Sequence, residues 1–227
     1  MACEVERKYL HVNFAELRSH LQKQAAVCLG RHFERNVVYE TDPPSFCQQK
    51  KLLRLRSCFW AERTPQYVLT FKAPAAQAEA LQGFKVRRED EVFVSSAESM
   101  GAILEGQGFV PWACYEKVRE TWQVSAVSVV LDVLPFGRFV ELEGDAVAID
   151  ALALTLDLAE AEQSTQSYAA LYRDWLQAMG KSWQASFMFS EQERKAWTER
   201  LGIYDLPELP RLCSPSLESC LQGAAGV

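Results

Sequence analysis

Apolar and charged residues alternate with a period of two through much of the chain. Leu53-Arg54-Leu55-Arg56 sets two leucines against two arginines, Val68-Leu69-Thr70-Phe71-Lys72 ends its even positions in lysine, and Glu141 and Glu143 alternate with Val140 and Leu142. In a strand such residues point to opposite faces, so each segment predicts one apolar and one charged surface. On this basis strands are predicted over Cys3–Leu10, Arg31–Glu40, Lys51–Trp60, Gln66–Ala73, Phe84–Val94, Cys114–Trp122, Ser125–Leu134 and Phe136–Glu143. Asp42-Pro43-Pro44 stops the second of these, and Arg63-Thr64-Pro65 turns a hairpin. The 3.6-residue period predicts helices over Asn13–Cys28, Ser96–Gln107, Ile149–Glu160, Ser164–Met179 and Ser190–Leu201. In the first of them Asn13 is the N-cap, with Glu16 three residues on and Leu17, Leu21 and Val27 on one face. Prolines 207, 210 and 215 predict an irregular or partly disordered tail from Asp205.

Eight antiparallel strands close naturally into a barrel, which makes the fold class α+β: a closed eight-stranded antiparallel tunnel with helices packed outside. Alternating charge in one strand is usually no more than a solvated sheet face. Here six strands share the pattern, with acids grouped at the first and last and cations between. If the leucine face packs on the helices, the charged face lines the interior. Arg7, Arg88 and Asp90 fit poorly, because they put charge on both faces.

The acids themselves need neutralising. Glu4 and Glu6, then Glu141 and Glu143, are each two residues apart, so each pair crowds one strand face and requires a divalent metal or a basic counter-set. The counter-set recurs as Arg54, Arg56, Lys72, Lys85, Arg87, Lys117 and Arg119. A tunnel charged in this way suits a ligand that is itself multiply charged.

With 227 residues, 48% of them hydrophobic, the chain can bury a sizeable core. A net charge of -6 argues against nucleic acid and against a polybasic membrane surface as partners. No apolar run reaches membrane-span length and no signal peptide is recognisable, so a soluble, cytoplasmic protein is expected. The oligomeric state is left open. Seven cysteines without a C-x-x-C pair suggest free thiols rather than a zinc site or a disulfide framework. His11, His20 and His32 follow no metal-ligand spacing and are expected in packing or surface roles. There is no G-x-S-x-G elbow, and Gly180-Lys181-Ser182 lacks the context of a phosphate loop. Trp60 and Trp122, at strand ends, are candidates for a tunnel mouth.

Glu4-Val5-Glu6-Arg7-Lys8 resembles the E-x-E-x-K signature of the CYTH superfamily, the triphosphate tunnel metalloenzymes. Leu53-Arg54-Leu55-Arg56, Leu69-Thr70-Phe71-Lys72, Arg87-x-Glu89-x-Glu91, Glu116-Lys117-Val118-Arg119, Leu131-Asp132, Gly137 to Glu143 and Ser167-Tyr168-Ala169-Ala170-Leu171 follow in the family's order. The resemblance implies a triphosphate bound in the tunnel with Mg²⁺ or Mn²⁺. Arg54, Arg56, Lys72, Lys117 and Arg119 would then cradle the phosphates, supported by Lys8 and Arg87, and Glu4, Glu6, Asp132, Glu141 and Glu143 would bind the metal. Lys8, Lys72 and Arg119 are the candidate catalytic residues. The expected activity is a triphosphatase acting on inorganic triphosphate or a small organic triphosphate such as thiamine triphosphate. The alternatives are a class IV-type adenylate cyclase and a noncatalytic polyphosphate or nucleotide binder. A tunnel domain over residues 1–180 is expected, with a C-terminal helical appendage over 181–227 that either caps apolar barrel surface or gates the tunnel. Cradle cations are also expected to repel one another, so that removing Arg54, Arg56 or Arg119 would stabilise the empty protein.

Overall fold

The computed structural model describes residues 3–75, 81–208 and 211–212. Eight long strands run in chain order as β1 (Cys3–Leu10), β2 (Val27–Thr41), β3 (Leu52–Phe59), β4 (Gln66–Pro74), β5 (Lys85–Val94), β6 (Phe109–Val124), β7 (Val127–Leu134) and β8 (Gly137–Glu143). The spatial order β5-β4-β3-β2-β6-β7-β8-β1 is closed by pairing of β1 with β5, all antiparallel. β1 divides its length to close the ring: Cys3–Glu6 pairs with β5 and Glu6–Leu10 with β8. A two-residue strand, β9 (Gln163–Ser164), adds to β1 at Lys8 and Tyr9.

Among the described residues five helices accompany the barrel: α1 (Phe14–Lys23), α2 (Ala97–Gly106), α3 (Ala146–Thr155), α4 (Tyr168–Ala178) and α5 (Glu191–Leu201). Asn13 caps α1 as its side chain predicts, accepting from the amides of Ala15 and Glu16. The helix is shorter than its apolar spacing suggests. It ends at Lys23, the chain turns through Ala25 at φ 52°, and Val27 opens β2, where its side chain is exposed. Val27 therefore belongs to a strand and not to the apolar stripe of the helix. β6 likewise begins five residues before the predicted Cys114, at Phe109. Its first half extends past β7 and pairs with β2.

The apolar strand face does meet the helices. Tyr9, Val129, Leu131, Val140 and Leu142 pack with Leu17 and Leu21 of α1 and Ile149 and Leu152 of α3. Leu53 and Leu55 pack with Leu104 of α2, and Phe33, Phe59 and Val118 with Phe189, Ile203 and Trp197 around α5. α4 sits differently, setting Tyr172 and Leu176 against Leu134 and Phe139 at one barrel end.

The charges that broke the alternation find partners on the outer face. Arg7 donates to Asp150 of α3 at 2.5 Å and to the Gly83 carbonyl, with its guanidinium 3.9 Å from the Phe84 ring centroid. Arg88 and Asp90 pair with each other at 2.7 Å on a half-exposed surface. Residues 205–208 carry no regular structure, and the tail beyond residue 212, with Pro215, Cys213 and Cys220, lies outside the described residues.

Candidate active site

Alternation delivers one face of every strand to the lumen, so that β1 contributes Glu4, Glu6 and Lys8, β3 contributes Arg54 and Arg56, and β6 contributes Lys117 and Arg119. A cavity of about 320 Å³ opens there, lined among others by Glu4, Glu6, Arg54, Arg56, Lys72, Lys85, Arg87, Lys117, Arg119, Glu141 and Glu143. Lys8 and Asp132 are not on its wall. They lie behind it, each almost fully buried and ion-paired to residues that are on it.

The five acids expected as one metal set divide into two groups. Glu4, Glu6 and Glu143 bring carboxylate oxygens within 4.8 Å of one another. Burial, together with the nearby Glu141, Glu4 and Glu6 charges, pushes Glu143 up to about 7 against the opposing pull of Arg119. Glu141 and Asp132 have spent their oxygens on cations. Arg119 donates from Nε and Nη2 to Asp132 at 2.8 and 2.6 Å and from Nη2 to Glu141 at 2.8 Å. Lys117 reaches Asp132 at 3.0 Å, Lys8 reaches Glu141 at 2.7 Å, and the Tyr168 hydroxyl donates to Asp132 at 2.8 Å. Burial works against the charge on Glu141, but Lys8, Arg119 and Lys117 outweigh it and hold the carboxyl well below its ordinary value.

The cations differ as sharply in how far they are engaged. Lys72 sits 2.5 Å from Glu4 and 3.1 Å from Glu89, and Lys85 is 2.7 Å from Glu6. Burial opposes ionisation of Glu4, yet the Lys72 ammonium brings it down to about 2. Arg54 and Arg56 are held more loosely: Arg54 lies 3.6 Å from Glu91 and 3.9 Å from Glu89, and Arg56 lies 3.6 Å from Glu34. The buried Arg54 Nε has no hydrogen-bond partner among the described residues. A buried donor left unmatched is costly, and the guanidinium's Nη1 and Nη2 donate only long bonds to the hydroxyls of Tyr115 and Thr70, at 3.2 and 3.3 Å. Arg87 reaches the wall near the backbone, donating to the carbonyls of Lys50 and Ala73.

Against the expected mutual repulsion of the cradle cations stand these pairs, since Lys72, Lys117 and Arg119 each face a carboxylate. Removing Arg119 takes a close partner from both Asp132 and Glu141, leaving Asp132 with Lys117 and Tyr168 and Glu141 with Lys8. His32 also departs from expectation, because β2 turns it to the lumen with its Nε2 2.9 Å from Glu34 and its ring centroid 4.8 Å from that of Trp60. Trp122, expected near a mouth, is packed in the core with its Nε1–H donating to Glu120.

Sequence reasoning passed over Glu34, which is fully buried and touches Arg56, Lys117 and Arg119 at 3.6, 3.4 and 3.8 Å. The same parity that revealed the arginines would have found it, since His32, Glu34 and Asn36 alternate with Phe33, Arg35 and Val37. Tyr115 was not legible either. Its hydroxyl accepts from Arg54 at 3.2 Å, and its ring stacks on Phe187 at 4.9 Å. Residues 183–187 thereby join the site: Phe187 exchanges backbone hydrogen bonds with Cys114 and Glu116 of β6, and Trp183, Ala185 and Phe187 line the cavity.

Set beside known proteins, residues 2–169 match the CYTH domain family. The chain belongs to that family. Among solved structures, a candidate adenylate cyclase from Vibrio parahaemolyticus is similar at 24% identity with a TM-score of 0.62, covering 77% of this chain and 97% of that one. The PH1819 protein of Pyrococcus horikoshii is similar at 23% identity and TM-score 0.63, covering 75% and 98%. HpAC1 from Hippeastrum, a candidate adenylyl cyclase described as having a dominant triphosphatase activity, is similar at 18% identity and TM-score 0.55, covering 82% and 99%. These likenesses establish the closed tunnel as the shared CYTH fold. No protein of curated function matches the chain in sequence.

Proposed function

We propose that this CYTH protein is a divalent-metal-dependent triphosphatase, acting on inorganic triphosphate or a small organic triphosphate. The observation that carries the reading is a cavity with three carboxylates converging at one place and loosely paired arginines facing the same space. Glu4 and Glu6 have Lys72 and Lys85 beside them, whereas Glu143 is raised by burial and by the neighbouring acids, and a hard cation with oxygen preference, such as Mg²⁺ or Mn²⁺, fits the three-carboxylate donor set. When bound, such an ion neutralises phosphate charge and makes a coordinated water more acidic.

The chain's own residues do the rest. Arg54 and Arg56, both on the cavity wall and only loosely paired with carboxylates, offer guanidinium donors to phosphate oxygens. Lys72 and Arg119 add positive charge where the transferred phosphoryl group develops negative charge, which is most of what phosphoryl transfer asks of a protein. Lys8 acts behind the wall, as the positioning group for Glu141 and Glu6 at 2.7 and 3.6 Å. Asp132 plays the same part for Lys117 and Arg119. The first turns of α4 bring Tyr168, Ala170 and Arg173 to the cavity wall.

A second reading, cyclisation of ATP, draws support from Tyr39, Phe46, Trp112 and Trp183 in the cavity lining, because these can receive an organic ring. Hydrolysis is preferred because it requires only a water nucleophile and no aligned ribose hydroxyl. Incubation with Mg²⁺ or Mn²⁺ and, in turn, inorganic triphosphate, thiamine triphosphate and ATP decides between them. Orthophosphate release supports hydrolysis, cyclic AMP with pyrophosphate supports cyclisation, and no turnover of any of the three sinks both.

A further inference from the structure

Away from the cavity wall, three side chains of different chemistry meet on the lumen face of the β2–β3 pair. The register sets Glu34 directly opposite Cys58, and alternation puts His32 two residues earlier on the same face. Ligand-capable atoms of His32, Glu34 and Cys58 all lie within 4.8 Å of one another, with His32 Nε2 already 2.9 Å from Glu34 Oε1. Glu34 and Cys58 are buried, and the His32 side chain is only 12% exposed. The ring of Trp60, 4.8 Å away, holds that imidazole in place. Two paired strands therefore preorganise one nitrogen, one sulfur and one oxygen.

Nitrogen and thiolate donors select borderline or soft ions, whereas the all-carboxylate cluster of Glu4, Glu6 and Glu143 selects hard ones. We propose that His32, Glu34 and Cys58 form a second metal site, for a thiophilic divalent cation of the Zn²⁺ class, with three protein ligands and one open position.

Three basic groups face the site and limit the charge it can take. Arg56 and Lys117 approach Glu34 Oε2 at 3.6 and 3.4 Å, while Arg119 lies 3.8 Å from Oε1. Lys117 and Arg119 are already matched by Asp132, and Arg119 also by Glu141. Glu34 can thus keep Oε2 on its cations and turn Oε1 to the metal. On binding, Cys58 releases its thiol proton to solvent, and His32 moves its proton from Nε2 to Nδ1. Metal–sulfur, metal–nitrogen and metal–oxygen bonds form with no change of oxidation state. The divalent ion with one thiolate and one carboxylate is neutral overall, one positive charge more than the empty site, and Asp132 and Glu141 remain to offset Lys117 and Arg119. The absence of a C-x-x-C pair does not argue against such a site, because its ligands are neighbours across a strand register and not along the chain.

Co²⁺ is the probe, titrated into the metal-free full-length protein. The expected result is a thiolate-to-Co²⁺ charge-transfer absorption saturating near one equivalent and displaced by Zn²⁺. Cys58→Ser should abolish the band. Cys47→Ser, which removes a thiol on the cavity wall, and Glu143→Gln, which breaks the hard-cation cluster, should leave it intact. His32→Gln, at the more accessible ligand, should weaken Co²⁺ binding at least 10-fold and gives an independent reading if Cys58→Ser fails to fold. No charge-transfer band in the wild type overturns the proposal, as does a band that survives Cys58→Ser or vanishes with Cys47→Ser. The readout is independent of triphosphate turnover, so its failure leaves the proposed triphosphatase standing.

Discussion

Arg119→Gln tests whether the tunnel is held together or pushed apart by its charges. The wild-type guanidinium, 12% exposed, makes two bonds to Asp132 and one to Glu141, all of 2.8 Å or shorter. Removing one partner of a buried ion pair costs about 3 to 5 kcal/mol, because the other charge stays buried. Asp132 retains Lys117 and Tyr168, and Glu141 retains Lys8, so the lower end, about 3 kcal/mol, is expected. For a chain of this size that corresponds to a melting temperature lower by roughly 6 to 12 °C. Arg56→Gln is the internal control. It loses a 3.6 Å pairing with Glu34 and a 3.4 Å hydrogen bond to Asn36, while Lys117 and Arg119 still face Glu34. The expected cost is about 1 kcal/mol. Urea denaturation of the metal-free, ligand-free proteins measures both. Wild-type stability or better in Arg119→Gln, or a larger loss in Arg56→Gln, would refute the paired-charge account and restore mutual repulsion as the dominant force.

Glu4→Gln and Glu143→Gln should each lower triphosphate turnover at limiting metal by about 100-fold or more, Glu143→Gln with little loss of stability and Glu4→Gln with a lower melting temperature as well, because it breaks the 2.5 Å pair with Lys72; steady-state kinetics across a Mg²⁺ series checks this, and an unchanged metal dependence removes both from the ligand set. Arg56→Ala should weaken triphosphate binding about 10-fold, as one charge-assisted contact requires; calorimetry showing equal affinity would leave Arg56 a scaffold residue. Glu120 carries the clearest pH signature: burial opposes its charge, but hydrogen bonds from Arg18, Arg31 and Trp122 bring it from 4.5 down to about 2. Its contribution is therefore fully present above pH 4.5 and lost as the pH falls through about 2. After discounting for the partly solvated arginines this amounts to about 2 kcal/mol, and Glu120→Gln should flatten the acid limb of the stability curve by that much. Truncation after Gln184 removes Phe187, the ring stacked on Tyr115, together with α5, and should raise KM for triphosphate as well as lowering thermal stability; KM unchanged below the melting transition would reduce the segment to structural packing.

The barrel was legible because its rule is local. A two-residue period survives in most of the strands whatever lies opposite, so Leu53, Leu55, Arg54 and Arg56 announce their faces without knowledge of their neighbours. Boundaries were less legible where chain geometry and not polarity decides them. Val27 suits the apolar stripe of α1 as well as the start of β2, and only the left-handed turn at Ala25 separates the two. Pairing within the site was not legible at all. Nothing in the order Asp132, Glu141, Glu143 tells that the first two meet Arg119 and Lys8 while the third turns to Glu4 and Glu6, since that follows from the register of β7, β8 and β1.

That register also explains how one lumen can hold so many charges and stay folded. Glu141 stands opposite Lys8, Asp132 opposite Arg119, and Lys72 opposite Glu89, so acids and bases face each other across neighbouring strands. Cross-strand pairs of opposite charge are the arrangement a sheet tolerates best. The exception is the closure of the ring. Glu6 faces Glu143 between β1 and β8 and Lys85 between β1 and β5, and is the one β1 residue paired on both sides by these strands. Among the described cross-strand pairs this is the one that sets two acids directly opposite each other, and it lies where the barrel closes and the carboxylates converge, so a cation there would relieve the fold.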